Sequence, residues 1–132
     1  MEKAFINPPE LYRHPSYTRV ITVKGPCKFI YISGQTPSDE AYQPVAKGDY
    51  KGQYEHIMAA LTLQLQAAGA TWDDVVSRRT YTLDIDKLRA AMRETHRLEN
   101  PEFPPVSTMI GVNRLSHPDF LIEVEIVAVT AN

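Results

Sequence analysis

The segment that most constrains the fold is residues 120–129, which read Phe-Leu-Ile-Glu-Val-Glu-Ile-Val-Ala-Val. Eight of its ten residues are apolar and five are β-branched, a composition typical of a strand that is covered on both faces. Because successive side chains of a strand point to opposite faces, one face of this strand is entirely apolar. The other face carries Glu123 and Glu125, roughly 7 Å apart along the strand. We therefore expect a central strand with two acidic groups in an apolar surface.

These two glutamates have a structural and a functional interpretation. A carboxylate in an apolar surface must be paired, hydrogen-bonded or protonated. For Glu125 we favour the structural interpretation, in which it reaches the rim of the sheet or pairs with an arginine. For Glu123, in the middle of the strand, we favour a functional role in a pocket at least as strongly as a structural role. Arg114 precedes the last strand in the chain, and we expect it to be the salt-bridge partner of a glutamate on that strand.

Length and composition exclude several classes of protein. A chain of 132 residues with 43% hydrophobic content predicts one domain over residues 1–132 with a substantial core. A net charge of −2 predicts no basic face for nucleic acid. The single cysteine, Cys27, forms no internal disulfide and favours a reducing compartment. No apolar run approaches the roughly 20 residues of a membrane span, and no apolar signal core begins the chain, so we expect a soluble, cytoplasmic protein without a membrane partner.

No strong metal or phosphate motif is present. The four histidines lack metal-ligand spacing, which argues against a metal site. Ser33-Gly34-Gln35 is either a turn that ends a strand, or a place where Ser33 and backbone N–H groups beside Gly34 bind an anionic or carbonyl group. Tyr17, at the start of a predicted strand, lies either in the core or with its hydroxyl in a pocket.

The order of elements predicts the fold class. We predict, in order, an edge strand at 3–6, a hairpin of strands 17–23 and 29–32, a helix from the N-cap Asp49 to Gly69, a capped turn at 71–74, a strand at 75–83, a helix from 86 to 100, and strands at 106–112 and 120–129. This order is an α+β sandwich of one sheet and two helices. Two helices cover one face of such a sheet, yet residues 29–32 and 120–129 are apolar on both faces. A second copy of the chain is the simplest cover, so we expect a homo-oligomer.

Several segments resemble those of one known family. They are Tyr17, residues 32–37 (Ile-Ser-Gly-Gln-Thr-Pro), 67–69 (Ala-Ala-Gly), 72–76 (Trp-Asp-Asp-Val-Val), Phe103-Pro104, 113–115 (Asn-Arg-Leu) and 122–129 (Ile-Glu-Val-Glu-Ile-Val-Ala-Val). Their order and spacing, over nearly the whole chain, resemble the Rid family of reactive-intermediate (enamine and imine) deaminases, also called YjgF or L-PSP proteins.

The resemblance implies a chorismate-mutase-like, two-layer α+β sandwich with one mixed sheet, two helices on one face, and assembly as a homotrimer. It also implies small-molecule pockets in the clefts between subunits. Members of the Rid family hydrolyse enamines and imines such as 2-aminoacrylate to ketoacids and ammonia, without a metal or organic cofactor.

The resemblance also implies roles for individual residues. The motif glutamate falls on Glu123, which would act as general acid/base on the catalytic water. The loop serine falls on Ser33, which with backbone N–H groups beside Gly34 would hold the reacting oxygen. The pocket tyrosine falls on Tyr17, and the backbone around Thr108 would donate to the substrate.

One position departs from the pattern. Deaminating members carry an arginine that grips the substrate carboxylate as a bidentate pair, and Val106 occupies that place here. The loss of this partner weakens binding of an anionic imine by roughly 2–5 kcal/mol, unless Arg13, Arg19, Arg114 or an arginine of another subunit substitutes.

Three functions follow from the sequence. The leading one is a hydrolase or deaminase of an enamine, imine or related small carbonyl compound. The alternative is a non-catalytic trimer that binds a small metabolite in the same clefts. Ribonuclease activity is disfavoured by the acidic net charge and by the absence of a His/Lys catalytic pair.

Overall fold

The computed structural model describes all of residues 1–132. Six strands, two α-helices and one 3₁₀ turn make up the chain. They are β1 (Glu2–Ile6), β2 (Val20–Lys24), β3 (Cys27–Gln35), α1 (Tyr50–Ala67), the 3₁₀ turn Trp72–Asp74, β4 (Val75–Thr82), α2 (Ile85–Arg93), β5 (Val106–Gly111) and β6 (Ile122–Ala131). No helix is long and apolar enough to cross a membrane.

One four-stranded mixed sheet forms the centre of the molecule. Its strand order is β3-β6-β4-β5. Strand β6 is antiparallel to both of its neighbours, whereas β4 and β5 are parallel and are connected through α2. Strands β1 and β2 form a separate antiparallel pair. Two helices packed on one mixed sheet confirm the predicted α+β class.

The core lies between the sheet and α1. The predicted apolar face of the last strand is confirmed, because every second residue of this segment is essentially inaccessible to solvent. These residues are Phe120, Ile122, Val124, Ile126 and Ala128. From α1, Ile57, Leu61 and Leu65 pack against the same cluster. This burial holds β6 in the interior of the sheet and fixes which of its side chains face away from the helices.

The predicted limits of α1 are confirmed by local chemistry. The Asp49 side chain accepts a hydrogen bond from the Gly52 backbone N–H at 3.0 Å, as an N-cap does. At the other end Gly69 has a φ of +78°, a backbone conformation that glycine adopts without strain and that terminates helices.

The second helix is shorter than predicted. It ends at Arg93 rather than at residue 100. The segment that follows turns inward, where Glu99 forms an ion pair of 2.6 Å with the buried Arg78 of β4. Nothing in the sequence indicates this contact, because apolar residues continue at helical spacing through Leu98.

The predicted hairpin of residues 17–23 and 29–32 is wrong. Strand β2 pairs with β1, while β3 pairs along its length with β6. The turn Gly25-Pro26, with Gly25 at φ +94°, carries the chain from one sheet to the other. Tyr17 lies outside β2, because Thr18 bonds the Pro104 and Pro105 carbonyls instead of joining the strand.

The second face of the sheet is uncovered in the single chain. Two aromatic side chains of β3 lie there, Phe29 with 58% of its surface exposed and Tyr31 with 76%. We call this the open face. It matches the apolar, uncovered surface that the sequence predicted.

Candidate active site

The open face carries a row of polar side chains across three strands. Glu125 of β6 lies opposite Arg79 of β4, and Arg79 lies opposite Thr108 of β5. One step along the sheet, Glu123 lies opposite Tyr81. Directly opposite residues share a face, so these five side chains project together from the side that the helices do not cover.

A bulge in β3 brings Ser33 and Gly34 to the edge of this row. Ile32 pairs with Ile126 but Gln35 pairs with Val124, so one extra residue is accommodated between them, as in a β-bulge. Any side chain at Gly34 would collide with the Glu123 carboxylate. The glycine therefore leaves the space that this carboxylate occupies.

The two glutamates have different surroundings. The Tyr81 hydroxyl donates a hydrogen bond of 2.7 Å to Glu125, and this bond chiefly raises the pKa of Tyr81. Glu123 takes part in none of the three ion pairs of the chain. Partial burial, and secondly the charge of Glu125, raise the pKa of Glu123 above its ordinary value. Glu123 thus has no ion-pair partner and a raised pKa, whereas Glu125 accepts a hydrogen bond from Tyr81.

The chain brings together three of the six predicted site residues. Glu123, Ser33 and Gly34 meet at the boundary of β3 and β6. Val106 and Thr108 lie on β5, two strand spacings or roughly 10 Å from β6. Tyr17 lies outside this group, in the loop before β2. Its ring stacks on the His14 ring, with 4.8 Å between the two ring centroids.

Arg114 does not pair with a glutamate, contrary to expectation. Its side chain is exposed and donates to the Leu115 carbonyl at 3.3 Å, while Glu125 accepts a hydrogen bond from Tyr81. Arg19 is likewise engaged, through the Tyr12 carbonyl at 2.9 and 3.1 Å.

Sequence reasoning missed Arg79, which lies on the open face. In β4 the residues Arg78, Thr80 and Thr82 are buried, whereas Arg79 is exposed between them. Arg79 forms no ion pair with any carboxylate of the chain. The alternation of side chains along β4 indicates that one of the two adjacent arginines faces the open side of the sheet. The sequence does not indicate which of them does.

No group of three or more His, Cys, Asp or Glu side chains is placed to hold a metal ion. The chemistry available on the open face is that of two carboxylates, a guanidinium, a phenol, a serine hydroxyl and the backbone of a bulge. Such a set can transfer protons and bind an anion.

Residues 10–130 match the model of the family described as Endoribonuclease L-PSP. The chain belongs to this family, the YjgF/L-PSP or Rid family. It is 34% identical over 100 residues to a RutC family protein of Pyrococcus abyssi, covering 76% of this chain and 77% of that one. It is 30% identical over 99 residues to a RutC family protein of Saccharolobus solfataricus, covering 75% and 77%.

Solved structures of the Rid family share the fold. The Rid-family protein YyfB of Yersinia pestis superimposes with a TM-score of 0.83 at 28% identity, over 98% of this chain and 100% of that one. RidA of an Antarctic Psychrobacter gives a TM-score of 0.64 at 22% identity, over 86% and 88%. The family prediction made from the sequence is confirmed, while the roles of individual residues stay predictions.

The pKa of Glu123 provides a direct test of the site's electrostatics. Because the like charge of Glu125 raises this pKa, we expect Glu125→Gln to lower it, with burial still holding it above the ordinary value. The measurement is an NMR titration of the glutamate side-chain carboxyl carbons. Glu55→Gln, on the exposed side of α1, is the matched control and should leave the titration of Glu123 unchanged. An unmoved Glu123 titration in Glu125→Gln would show that the two carboxylates do not interact.

Proposed function

We propose that this Rid-family protein hydrolyses an enamine, imine or related small carbonyl compound on the open face of its sheet. The observation that carries the proposal is the state of Glu123, a half-buried carboxylate without an ion-pair partner, whose pKa is raised and which lies against Gly34. A raised pKa brings a carboxyl group closer to the working pH of a general acid/base.

The reaction can be written with these groups. Glu123 takes a proton from a water molecule as the oxygen of that water attacks the imine carbon. The protonated Glu123 passes this proton to the imine nitrogen, which gives a carbinolamine. Glu123 then transfers the hydroxyl proton of the carbinolamine to its amino group, so that the C–N bond breaks and a carbonyl group and ammonia result. Ser33 and the backbone N–H groups at the bulge would donate to the developing oxygen, since a bulge leaves a residue unpaired by the ladder.

Arg79 would grip the carboxylate of an anionic substrate in place of the arginine that Val106 replaces. Three observations support this role: Arg79 is exposed on the open face, it lies opposite Thr108, and it forms no ion pair within 4 Å with a carboxylate of the chain, although Glu125 lies opposite it on β6. A guanidinium on the neighbouring strand reaches the same surface and offers the same bidentate geometry.

We expect Arg79→Met to raise KM for 2-aminoacrylate by about 30-fold, the lower end of the effect of removing one partner of a charge pair. Turnover of an uncharged imine should change little, because that substrate has no carboxylate to hold. The control is Arg114→Met, which removes an exposed arginine that bonds its neighbouring backbone. Steady-state kinetics of both variants on 2-aminoacrylate and on an uncharged imine shows whether Arg79 binds the substrate carboxylate.

Val106→Arg in the Arg79→Met background extends this test. Val106 and Thr108 project from the same face of β5, so an arginine at 106 should restore binding of 2-aminoacrylate. If Arg79→Met affects charged and uncharged imines equally, Arg79 is not the carboxylate anchor. If Val106→Arg folds and restores nothing, the missing arginine is not the only departure from a deaminase site.

The uncovered sheet supports a homotrimer with the site at a subunit boundary. Phe29 and Tyr31 leave an apolar surface beside the polar row, and a second copy would bury it and bring residues such as Tyr17 near a neighbouring Glu123. We expect a solution mass near three times the 14.9 kDa of the chain, measured by light scattering. A monomer at micromolar concentration would contradict the shared site.

A second candidate function is a trimer that binds a small metabolite without turning it over. The replacement of the family arginine by Val106 favours it, because a site without its substrate anchor retains a pocket but loses affinity for the reactive imine. Ammonia release from imines separates the two functions, since a binder shows saturable ligand binding without product.

A further inference from the structure

A second concave site lies on the helix side of the sheet, away from Glu123. It is a cleft of about 670 Å³ between α1, α2, β5 and the segments around residues 14–17 and 94–99. Of the six predicted site residues, only Tyr17 lines it. Its size is within the range of small-molecule sites, and the segment that follows the end of α2 at Arg93 forms part of its lining.

The cleft is strongly basic in a chain of net charge −2. Four arginines against one glutamate line it, a formal charge of +3. The glutamate, Glu99, is already neutralised by Arg78 at 2.6 Å. Arg89, Arg93 and Arg97 have no carboxylate partner in the chain. The cleft therefore presents three uncompensated guanidinium groups.

Helix stability accounts for only part of this arrangement, because Arg93 lies in the last turn of α2, where a cation is favourable. Arg89 and Arg93 lie one turn apart on α2, which has nine residues, and like charges at this spacing destabilise a helix. An acidic residue at position 89 would instead have formed a favourable pair with Arg93. A bound anion between the two side chains removes the repulsion.

The floor of the same cleft is apolar and adaptable. Met58, Met92 and Met109 line it, and methionine side chains adjust to ligands of varied shape. Tyr54 forms a further wall and is fixed by a hydrogen bond of 2.8 Å from Arg78. The cleft thus combines a cationic rim with an apolar floor.

We propose that this cleft binds a small organic phosphate, with the phosphate held by Arg89, Arg93 and Arg97 and the apolar body against the methionines. A phosphate monoester carries a charge of about −1.5 to −2 and three strong acceptor oxygens, which match three guanidinium groups better than a singly charged carboxylate does. The inference does not rest on the proposed hydrolase activity, because none of these arginines lies on the open face.

The test is isothermal titration of the full chain with phenyl phosphate at low ionic strength. We expect saturable binding, weakened about tenfold by each of Arg89→Gln, Arg93→Gln and Arg97→Gln, as the loss of one charge-assisted contact predicts. Lys87→Gln is the matched control, since Lys87 is an exposed cation of α2 outside the cleft lining, and should leave the affinity unchanged. Inorganic phosphate should bind about tenfold more weakly, because it has no apolar body.

Four results would overturn the proposal. The first is no saturable binding of phenyl phosphate at millimolar concentration. The second is an equal loss in Lys87→Gln, which would indicate an unspecific charge effect. The third is equally tight binding of inorganic phosphate, which would exclude the apolar contact. The fourth is tighter, arginine-dependent binding of a single-stranded RNA oligomer, which would make the cleft a nucleic-acid site. Imine turnover by the arginine variants, measured separately, should equal that of the parent protein.

Discussion

Glu123→Gln is expected to lower turnover of the enamine or imine substrate by about 10²–10⁴, the usual effect of removing a positioned acid/base. The amide keeps the shape of the side chain and fits against Gly34 in the same way, but it has no basic oxygen to accept a proton. The solution mass should stay that of the parent protein. Steady-state kinetics together with light scattering makes the measurement.

The stability of the same variant distinguishes a catalytic from a structural glutamate. The pKa of Glu123 is raised in the folded chain, so the folded state holds this proton more tightly than the unfolded state. The associated stability is present below the unfolded pKa and is lost as pH rises through the folded pKa. Ionisation of Glu123 therefore opposes folding.

We accordingly expect Glu123→Gln to unfold at an equal or higher denaturant concentration than the parent protein at pH 7. A series of denaturant titrations across pH should also show that the variant lacks the Glu123 contribution to the pH dependence. If the stability, ligand affinity and turnover of the variant all fall together, Glu123 has a structural role, and its assignment as the general acid/base is wrong.

The second large effect is expected at the buried ion pair of Arg78 and Glu99, whose side chains are 6% and 9% exposed. Arg78 also donates to Tyr54 at 2.8 Å and to Thr80 at 3.1 Å. Burial lowers the pKa of Arg78, but Tyr54 and Glu99 outweigh it and hold this pKa above its ordinary value. Glu99→Ala would leave a charged guanidinium buried without its partner.

We expect Glu99→Ala to lower the free energy of unfolding by about 3–5 kcal/mol, measured by denaturant titration at a fixed protein concentration. Glu102→Ala is the control, because Glu102 is exposed in the same segment. Arg78→Met combined with Glu99→Leu should recover most of the loss, since an apolar pair leaves no buried charge. A loss below 1 kcal/mol in Glu99→Ala would show that the guanidinium is not desolvated in solution.

The features predicted from sequence are those that depend on neighbouring residues. The apolar face of β6 followed from strict alternation, and the limits of α1 followed from Asp49 and Gly69. The uncovered sheet face followed from counting two helices against strands that are apolar on both sides. In the first two cases the controlling interaction lies within one element or its adjacent turn, and the third needs only the number of helices and the composition of the strands.

The features that sequence did not predict depend on residues distant in the chain. Arg78 and Arg79 are chemically identical, and only pairing with β5 and β6 decides which one is buried. Helix α2 ends at Arg93, and Glu99 beyond it pairs with the buried Arg78, a contact between residues 21 positions apart. Strand β2 pairs with β1 rather than β3, a choice between two partners that local turn residues do not resolve.

The most direct test of the proposed hydrolase is ammonia release from a panel of small imines generated in situ, 2-aminoacrylate and uncharged imines among them. We predict that the parent protein accelerates ammonia release from at least one member of the panel, and that Glu123→Gln abolishes nearly all of this acceleration. If the correctly assembled parent protein accelerates none of them, the hydrolase proposal is contradicted and the open face is a binding site without catalysis.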